Sequence, residues 1–324
     1  MPQRIFITGA TGLLGAAIAA DLARRREVRA LSRNEQGDAA IAALGATPVR
    51  GDLQSIEAEQ LGGYDAVIHC AGFTKPWGTR RQFWMTNVEG TSRLLDAARR
   101  AGVQRFIHMG TEAVVFRGQH LWRIDEDYPY PRATPFLYSE TKAAAERAVL
   151  AANAPGFHTI SLRPCFVWGP GELATPPALD SRVRTGRFMW LDGGCARTST
   201  THIANLIHAV NLALERGRCG AAYFIADDGD TSLREFLTSL LATRGLSPPQ
   251  KSMSGTLARG LAAFVELGWR AAGRRSEPPL TRFAACLLSR DCTVRTDRAK
   301  RELGYAPVIS REEGLKQLLQ ARLD

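Results

Sequence analysis

Lysine is scarce in this 324-residue chain, with five residues against 37 arginines. The net charge of +10, from 42 basic and 32 acidic side chains, is therefore almost wholly an arginine excess. An arginine-favouring codon bias spreads such an excess over a solvated surface. Neither a basic stripe interleaved with aromatics nor a known nucleic-acid-binding module accompanies it, so no nucleic-acid partner is expected. Six cysteines, Cys70, Cys165, Cys195, Cys219, Cys286 and Cys292, lie scattered without a Cys-x-x-Cys pair, and the six histidines show no metal-ligand spacing. This reads as reduced thiols in a cytoplasmic chain with no metal. No apolar run reaches the roughly 18 residues that a bilayer span needs. Export is not expected either, since the first strand begins at once, without a charged region followed by an apolar one. Flexible linkers, repeats and low-complexity tracts are also missing.

What is present is a globular composition, 45% hydrophobic and 23% charged. A single core stops growing at roughly 250–300 residues, so a main domain with a smaller companion is expected. The first half alternates β-branched runs with helical patterns, the signature of βαβ units. Strands are expected at 4–8, 28–31, 47–50, 66–69, 106–109 and 159–162, and helices at 13–25, 83–101 and 136–150. Beyond Pro164 the rhythm changes. Gly169–Gly171, Pro176–Pro177 and Gly193–Gly194 mark loops, a helix is expected at 203–214 and a strand at 222–225, and the remainder is helix-rich.

Gly9-Ala10-Thr11-Gly12-Leu13-Leu14-Gly15 follows the first strand and opens the first helix. In that context the glycines let backbone amides and the helix N-terminus meet a pyrophosphate. The fold class is therefore α/β, a doubly wound parallel Rossmann sheet with a second, smaller helix-rich substrate lobe. Residues 1–165 form the dinucleotide-binding domain and 166–324 the lobe, with about 200–226 returning to the sheet. The second strand ends Leu31-Ser32-Arg33-Asn34, without the carboxylate that bonds the ribose hydroxyl of NAD. That favours NADP(H), with NAD(H) the alternative, because Arg33 serves equally as a surface arginine. Asp52, followed by Leu53, is placed to accept from the adenine amino group or to cap its loop. Ala71-Gly72 offers close backbone approach. Tyr138 and Lys142 are four residues apart and so share a helix face. A phenol titrates near 10, and a neighbouring ammonium, with the positive nicotinamide of an oxidised cofactor, would lower it into the range of a useful proton donor.

The combination of this loop, Asp52, Asn87 in Thr-Asn-Val-Glu-Gly-Thr, Thr111 and Tyr138-x-x-x-Lys142 resembles the extended short-chain dehydrogenase/reductases. The resemblance runs on through Arg163-Pro164-x-x-x-x-Gly169-Pro170-Gly171, Thr201-His202-Ile203-x-Asn205 and Glu302-Leu303-Gly304-Tyr305-x-Pro307, nearly the whole chain. Within that superfamily, Gly110-Thr111-Glu112-Ala113-Val114-Val115-Phe116 is most similar to the 3β-hydroxysteroid dehydrogenase and sterol-4α-carboxylate 3-dehydrogenase group, with Gly110 in place of a hydroxyl residue. The resemblance implies that Thr111 bonds the reacting oxygen and Tyr138 exchanges its proton. It also implies that Lys142 holds the nicotinamide ribose, that Asn87 lies near the nicotinamide, and that Pro164, Cys165 and Phe166 line its pocket.

Expected substrate neighbours are Trp77, Phe83, Trp84, Phe116, Trp122, Phe166 and Trp168, which suit a small hydrophobic substrate of steroid, sterol or β-keto acid type. Arg197 is a candidate for its anion. The expected activity is an NADP(H)-preferring interconversion of a secondary hydroxyl and a ketone. The alternatives are a nucleotide-sugar epimerase or dehydratase holding NAD tightly, and a non-catalytic NADP-binding regulator. In 257–270, Leu257, Leu261, Phe264, Val265 and Gly268 form a helical stripe opposite Arg259, Glu266 and Arg270. Such a stripe faces a core or lies peripherally on a membrane. The resemblance also suggests a homodimer through the two long helices, at 83–101 and 136–150.

Overall fold

The computed structural model describes residues 2–171 and 177–323, so Pro176 lies outside the described residues. In chain order the first half runs β1 (Arg4–Thr8), α1 (Leu13–Ala23), β2 (Glu27–Ser32), α2 (Glu35–Ala43), β3 (Thr47–Arg50), β4 (Ala66–His69), α3 (Arg80–Trp84), α4 (Gly90–Arg100), β5 (Arg105–Met109), β6 (Leu121–Ile124), α5 (Leu137–Ala151) and β7 (His158–Pro164). The second half holds β8 (Phe166–Trp168), α6 (Pro177–Arg184), β9 (Trp190–Leu191), β10 (Arg197–Thr198), β11 (Thr200–His202), α7 (Ile203–Glu215), β12 (Ala221–Ile225) and β13 (Thr231–Ser232). It closes with α8 (Leu233–Ala242), β14 (Ser252–Met253), α9 (Gly255–Ala271), α10 (Arg282–Leu287), β15 (Cys292–Val294), α11 (Asp297–Leu303) and α12 (Arg311–Leu323).

Seven strands pair in the order β12-β7-β5-β4-β1-β2-β3, all parallel. Alternation sorts their side chains: Ile5, Ile7, Ile68 and Ile107 pack with α1 and α7 on one face, and Phe6, Val67 and Phe106 with α4 on the other. Covered on both faces, β4 is buried at every position, as a parallel sheet requires. The order reverses at β1, from which the chain winds out through β2 on one side and β4 on the other, and such a switch point at the strands' carboxyl ends is where an open α/β sheet takes its ligand.

Three features were not settled by the sequence. The expected helix over 83–101 is interrupted by a π turn at Met85–Glu89, which carries Asn87 into the interior. β6, from within the first 165 residues, leaves the large sheet and pairs in parallel with β15 in a four-stranded sheet of order β13-β10-β15-β6. On α9 the residues turned inward are Gly255, Ala258, Ala262 and Glu266, while Leu257, Leu261, Phe264 and Leu267 face out. The stripe read from the sequence does not face a core.

Candidate active site

The loop after β1 turns at Gly9, whose φ of +78° suits glycine. A Cβ on Gly9 would sit 2.5 Å from the Ala71 nitrogen, and one on Gly15 would sit 2.2 Å from the Gly9 carbonyl oxygen. These two glycines let the loop touch the segment after β4 and let α1 seat against the turn. Gly12 differs, since its Cβ would meet nothing closer than the Gly9 oxygen at 3.4 Å. It borders the space before the first turn of α1, flanked by exposed Thr11 and Leu13, while Leu14 leans on the core. A side chain on Gly12 would fill the place where a pyrophosphate meets the helix amides, so this loop fits a dinucleotide.

At the end of β2 the Ser32 hydroxyl donates to the Asn34 carbonyl at 3.0 Å, and the Asn34 side chain caps α2 by accepting from the Gly37 nitrogen at 2.8 Å. Arg33 projects from this turn into solvent, whereas nearby Arg50 is engaged with Asp38. Asp52 spends one carboxylate oxygen on the Gln54 nitrogen, at 2.8 Å, so it does cap its own loop and keeps a single oxygen for other use. Leu53 is buried, tight against Gly90. Gly72 leaves room for Asn87, whose Oδ1 a Cβ would meet at 3.3 Å. Asn87 accepts from the Phe73 nitrogen at 2.6 Å and donates to the Phe73 oxygen at 3.2 Å and to Thr141 Oγ1 at 3.0 Å. Both amide hydrogens are spent, so Asn87 positions the Gly72–Phe73 backbone against α5 and has no donor left for a nicotinamide.

Tyr138 and Lys142 share the face of α5 that looks toward the end of β5. Lys142 is buried, and its Nζ donates to the Met109 carbonyl at 2.6 Å and toward His108 Nε2 at 3.3 Å. The Ser161 hydroxyl donates to Glu146 at 2.7 Å, so the 3.0 Å contact between His108 Nδ1 and Ser161 makes Nδ1 the protonated nitrogen and leaves Nε2 to accept from Lys142. Burial, then the adjacent ammonium, hold His108 neutral, well below the usual histidine range. Burial also brings Lys142 down to about 8. Tyr138 goes the other way: burial first, then the Glu112 carboxylate, push its phenol up, against a hydrogen bond with Thr111. Lys142 is not among the groups that act on the phenol here; two of its three hydrogens go to Met109 and His108. The Thr111 hydroxyl accepts from the Ala113 nitrogen at 3.2 Å and donates to Glu112 Oε2 at 2.9 Å. Burial raises Glu112 to about 7. The sequence reading missed this residue; its signal is a carboxylate directly after the hydroxyl residue at the carboxyl end of a buried strand.

Tyr138 borders a cavity lined by Trp77, Phe83, Phe136 and Phe283 and, at its edge, by Lys75, Glu266 and Arg270. The Phe283 ring meets Tyr138 edge-on at 5.7 Å. Of the other expected substrate neighbours, Phe116 is fully buried behind this wall, stacked on Phe136 at 5.7 Å, because it fills the seam between the lobes. Trp168 is fully buried, donates to Asp227 at 2.8 Å and meets His202 edge-on, so it braces the second lobe and offers no face to a ligand. Phe166 packs on Phe236 in the same cluster. Trp84 lies under the Arg80 guanidinium, and Trp122 is 58% exposed on β6. Arg197 donates to the Asp230 carbonyl at 3.0 Å, and its own nitrogen donates to Asp291, which fixes it within the small sheet. Pro164 and Cys165 are buried at the end of β7, and burial drives the Cys165 thiol well above its usual range.

Residues 5–226 match the family model "NAD dependent epimerase/dehydratase family". The chain is 42% identical over 322 residues to the 4-hydroxy-2-methyl-3-oxo-4-farnesyl-3,4-dihydroquinoline-1-oxide ketoreductase of Stigmatella aurantiaca, covering 98% of this chain and 96% of that one. It is 34% identical to the 2-alkyl-3-oxoalkanoate reductase of Stenotrophomonas maltophilia (strain K279a), over 98% of both chains. It is 32% identical to a 3 beta-hydroxysteroid dehydrogenase/Delta 5-->4-isomerase of Mycobacterium tuberculosis (strain CDC 1551 / Oshkosh), over 98% of this chain and 89% of that one. Among solved structures, MoeE5 in complex with UDP-glucose and NAD shares the fold at a TM-score of 0.75 and 24% identity, over 99% of this chain and 100% of that one. On the match over 5–226 and on relatives aligned nearly end to end, the chain belongs to the NAD dependent epimerase/dehydratase family, the extended short-chain dehydrogenase/reductases, as an NAD(P)-dependent oxidoreductase working between CH–OH and C=O.

Proposed function

We propose that this enzyme reduces a ketone to a secondary alcohol on a hydrophobic molecule, with NADPH preferred over NADH. The observation that carries the reading is Tyr138 at the wall of an aromatic cavity, with Thr111 beside it and Lys142 on the same face of α5. When bound, the reduced nicotinamide supplies the hydride. Thr111 orients the ketone oxygen, Tyr138 gives it a proton and takes one back from solvent, and Lys142, on the same face of α5, would hold the nicotinamide ribose. Exposed Arg33, with no carboxylate at the end of β2, supports the choice of NADPH. The relatives named above act on a 3-oxo farnesyl quinoline oxide, on 2-alkyl-3-oxoalkanoates and on 3β-hydroxysteroids, each a ketone or carbinol on an apolar frame. Lys75 and Arg270, which line the cavity, suit a carboxylate or another anionic group on the substrate; Arg197 is not in this lining and donates to the Asp230 carbonyl.

The test is turnover by the purified enzyme with NADPH or NADH on a panel of 2-alkyl-3-keto acids, 3-ketosteroids and prenylated ring ketones, with UDP-sugars as the contrasting panel. The expected result is exchangeable cofactor, NADPH consumption on a ketone, and a loss of about 100-fold or more in Tyr138→Phe with NADPH binding retained. A resident NAD that never exchanges, with turnover of UDP-sugars alone, would overturn the reading in favour of an epimerase. Activity untouched by Tyr138→Phe would make this site non-catalytic.

A further inference from the structure

Helix α9 is built the wrong way round for a core helix. Amphipathic helices in globular proteins ordinarily turn their large apolar side chains inward. Here Ala258 and Ala262 pack against Leu191 and Ala285, and Glu266 accepts from the Arg282 nitrogen at 2.7 Å and its Nε at 2.8 Å. The outer face carries Leu257, Leu261, Phe264 and Leu267, which are 61%, 51%, 80% and 66% exposed. Their spacing places them in one stripe along the helix. At its carboxyl end follow exposed Arg270, Arg274 and Arg275. Residues 259–301 carry ten basic and four acidic side chains; Arg282, Arg295, Arg298 and Lys300 are taken up in ion pairs, and Arg270, Arg274 and Arg275 are not among these. The same helix helps to wall the cavity: Glu266 and Arg270 line it, the Arg270 guanidinium lies 4.8 Å over the Trp77 ring, and Trp77 donates to the Arg274 carbonyl at 3.4 Å.

We propose that α9 docks the enzyme peripherally on an anionic lipid bilayer. The leucines and Phe264 enter the headgroup–acyl boundary and the arginines meet lipid phosphates. The chemistry of the patch selects this occupant: an apolar stripe with a cationic end is what an interfacial helix presents, and each basic residue near an anionic surface adds to its attraction. A second copy of the chain fits less well, because a stable protein interface enlists about 20–30 residues a side, far more than one helical stripe supplies. Among the described residues no helix is long and apolar enough to cross a membrane, so the contact is a peripheral one. Resting on the ketone-reduction reading, docking would set the Trp77–Arg270 lip of the cavity against the bilayer, where an apolar substrate dissolves.

The docking is tested without substrate. Full-length enzyme is floated with vesicles of phosphatidylcholine alone and of phosphatidylcholine mixed with phosphatidylglycerol, at low and high salt, beside a Leu261→Glu/Phe264→Glu double variant. Expected are binding to the anionic vesicles, weakening as salt rises, and a loss of at least about tenfold in the variant. The variant should keep NADPH affinity and turnover of a water-soluble ketone, and lose rate only on a ketone delivered in the bilayer. No binding by the wild type, or equal binding by the variant, would overturn the proposal. So would a dimer in sedimentation that the same substitutions dissociate, since the stripe would then be a seam between copies. If vesicle binding holds while no ketone is turned over, the ketone-reduction reading fails and the docking stands.

Discussion

A hydroxyl hydrogen can serve one acceptor at a time, and at Thr111 that limit sets a pH dependence. With Glu112 ionised, Thr111 donates to it at 2.9 Å and has nothing to give a substrate oxygen. With Glu112 protonated, the carboxyl can donate to Thr111 and release that hydrogen. Because burial holds Glu112 at about 7, ketone reduction is expected to fall as pH rises through that value, and Glu112→Gln should remove this limb of the kcat/KM profile. The stability sign follows from the same shift. A carboxyl raised from 4.5 to about 7 on folding favours the folded state fully below 4.5 and loses that contribution as pH rises to 7. Denaturant midpoints should therefore show Glu112→Gln gaining on the wild type between pH 5 and 8, and a constant difference would sink the assignment. Tyr138, Lys142 and Thr111 were legible as a motif in the sequence. Glu112 was not, because its importance comes from burial, which depends on what packs over the strand end.

Between elements, α5 and β7 are stitched by charge. Glu146 and Arg163, both almost fully buried, bond at 2.7 Å, and Tyr130 donates to Glu146 at 2.6 Å. Through Ser161 and His108 the chain of hydrogen bonds reaches Lys142. The seam that holds the helix to the sheet thus also orients the Lys142 ammonium. Removing one partner of a buried pair strands the other, so Glu146→Ala is expected to cost about 3–5 kcal/mol in urea unfolding. At temperatures where the variant remains folded, it should also raise KM for NADPH. A loss below about 1 kcal/mol would mean that water replaces the pair. Strands β1, β4, β5 and β7 and helix α5 followed from apolar periodicity in the sequence. The π turn at Met85–Glu89 did not, since nothing in the local pattern announces one wider turn, yet it aims Asn87 at the Gly72–Phe73 backbone.

At the scale of the whole molecule, one carboxylate gathers four donors from the second half of the chain. Asp227, just past β12, accepts from Trp168, Thr200, the His202 nitrogen and Asn205, each at 2.7 or 2.8 Å. Asn205 in turn accepts from the Val308 and Ile309 nitrogens, drawing the C-terminal segment onto α7. Asp227→Ala should lower stability by about 3 kcal/mol or more, and tryptophan fluorescence should lead far-UV circular dichroism in denaturant as the second lobe loosens first. Coincident transitions would contradict that picture. Sequence alone determined the parallel sheet, the glycine loop at its switch point and the pairing of Tyr138 with Lys142. These rest on spacing, and periods of two and 3.6 residues and a four-residue offset are properties of a local segment. Tertiary structure alone decided that β6 pairs with β15, that Trp168, Phe116 and Arg197 hold the frame, and that α9 shows its leucines to solvent. Each of these depends on which surface lies opposite, and a stripe of apolar residues carries no mark of the side on which its partner stands.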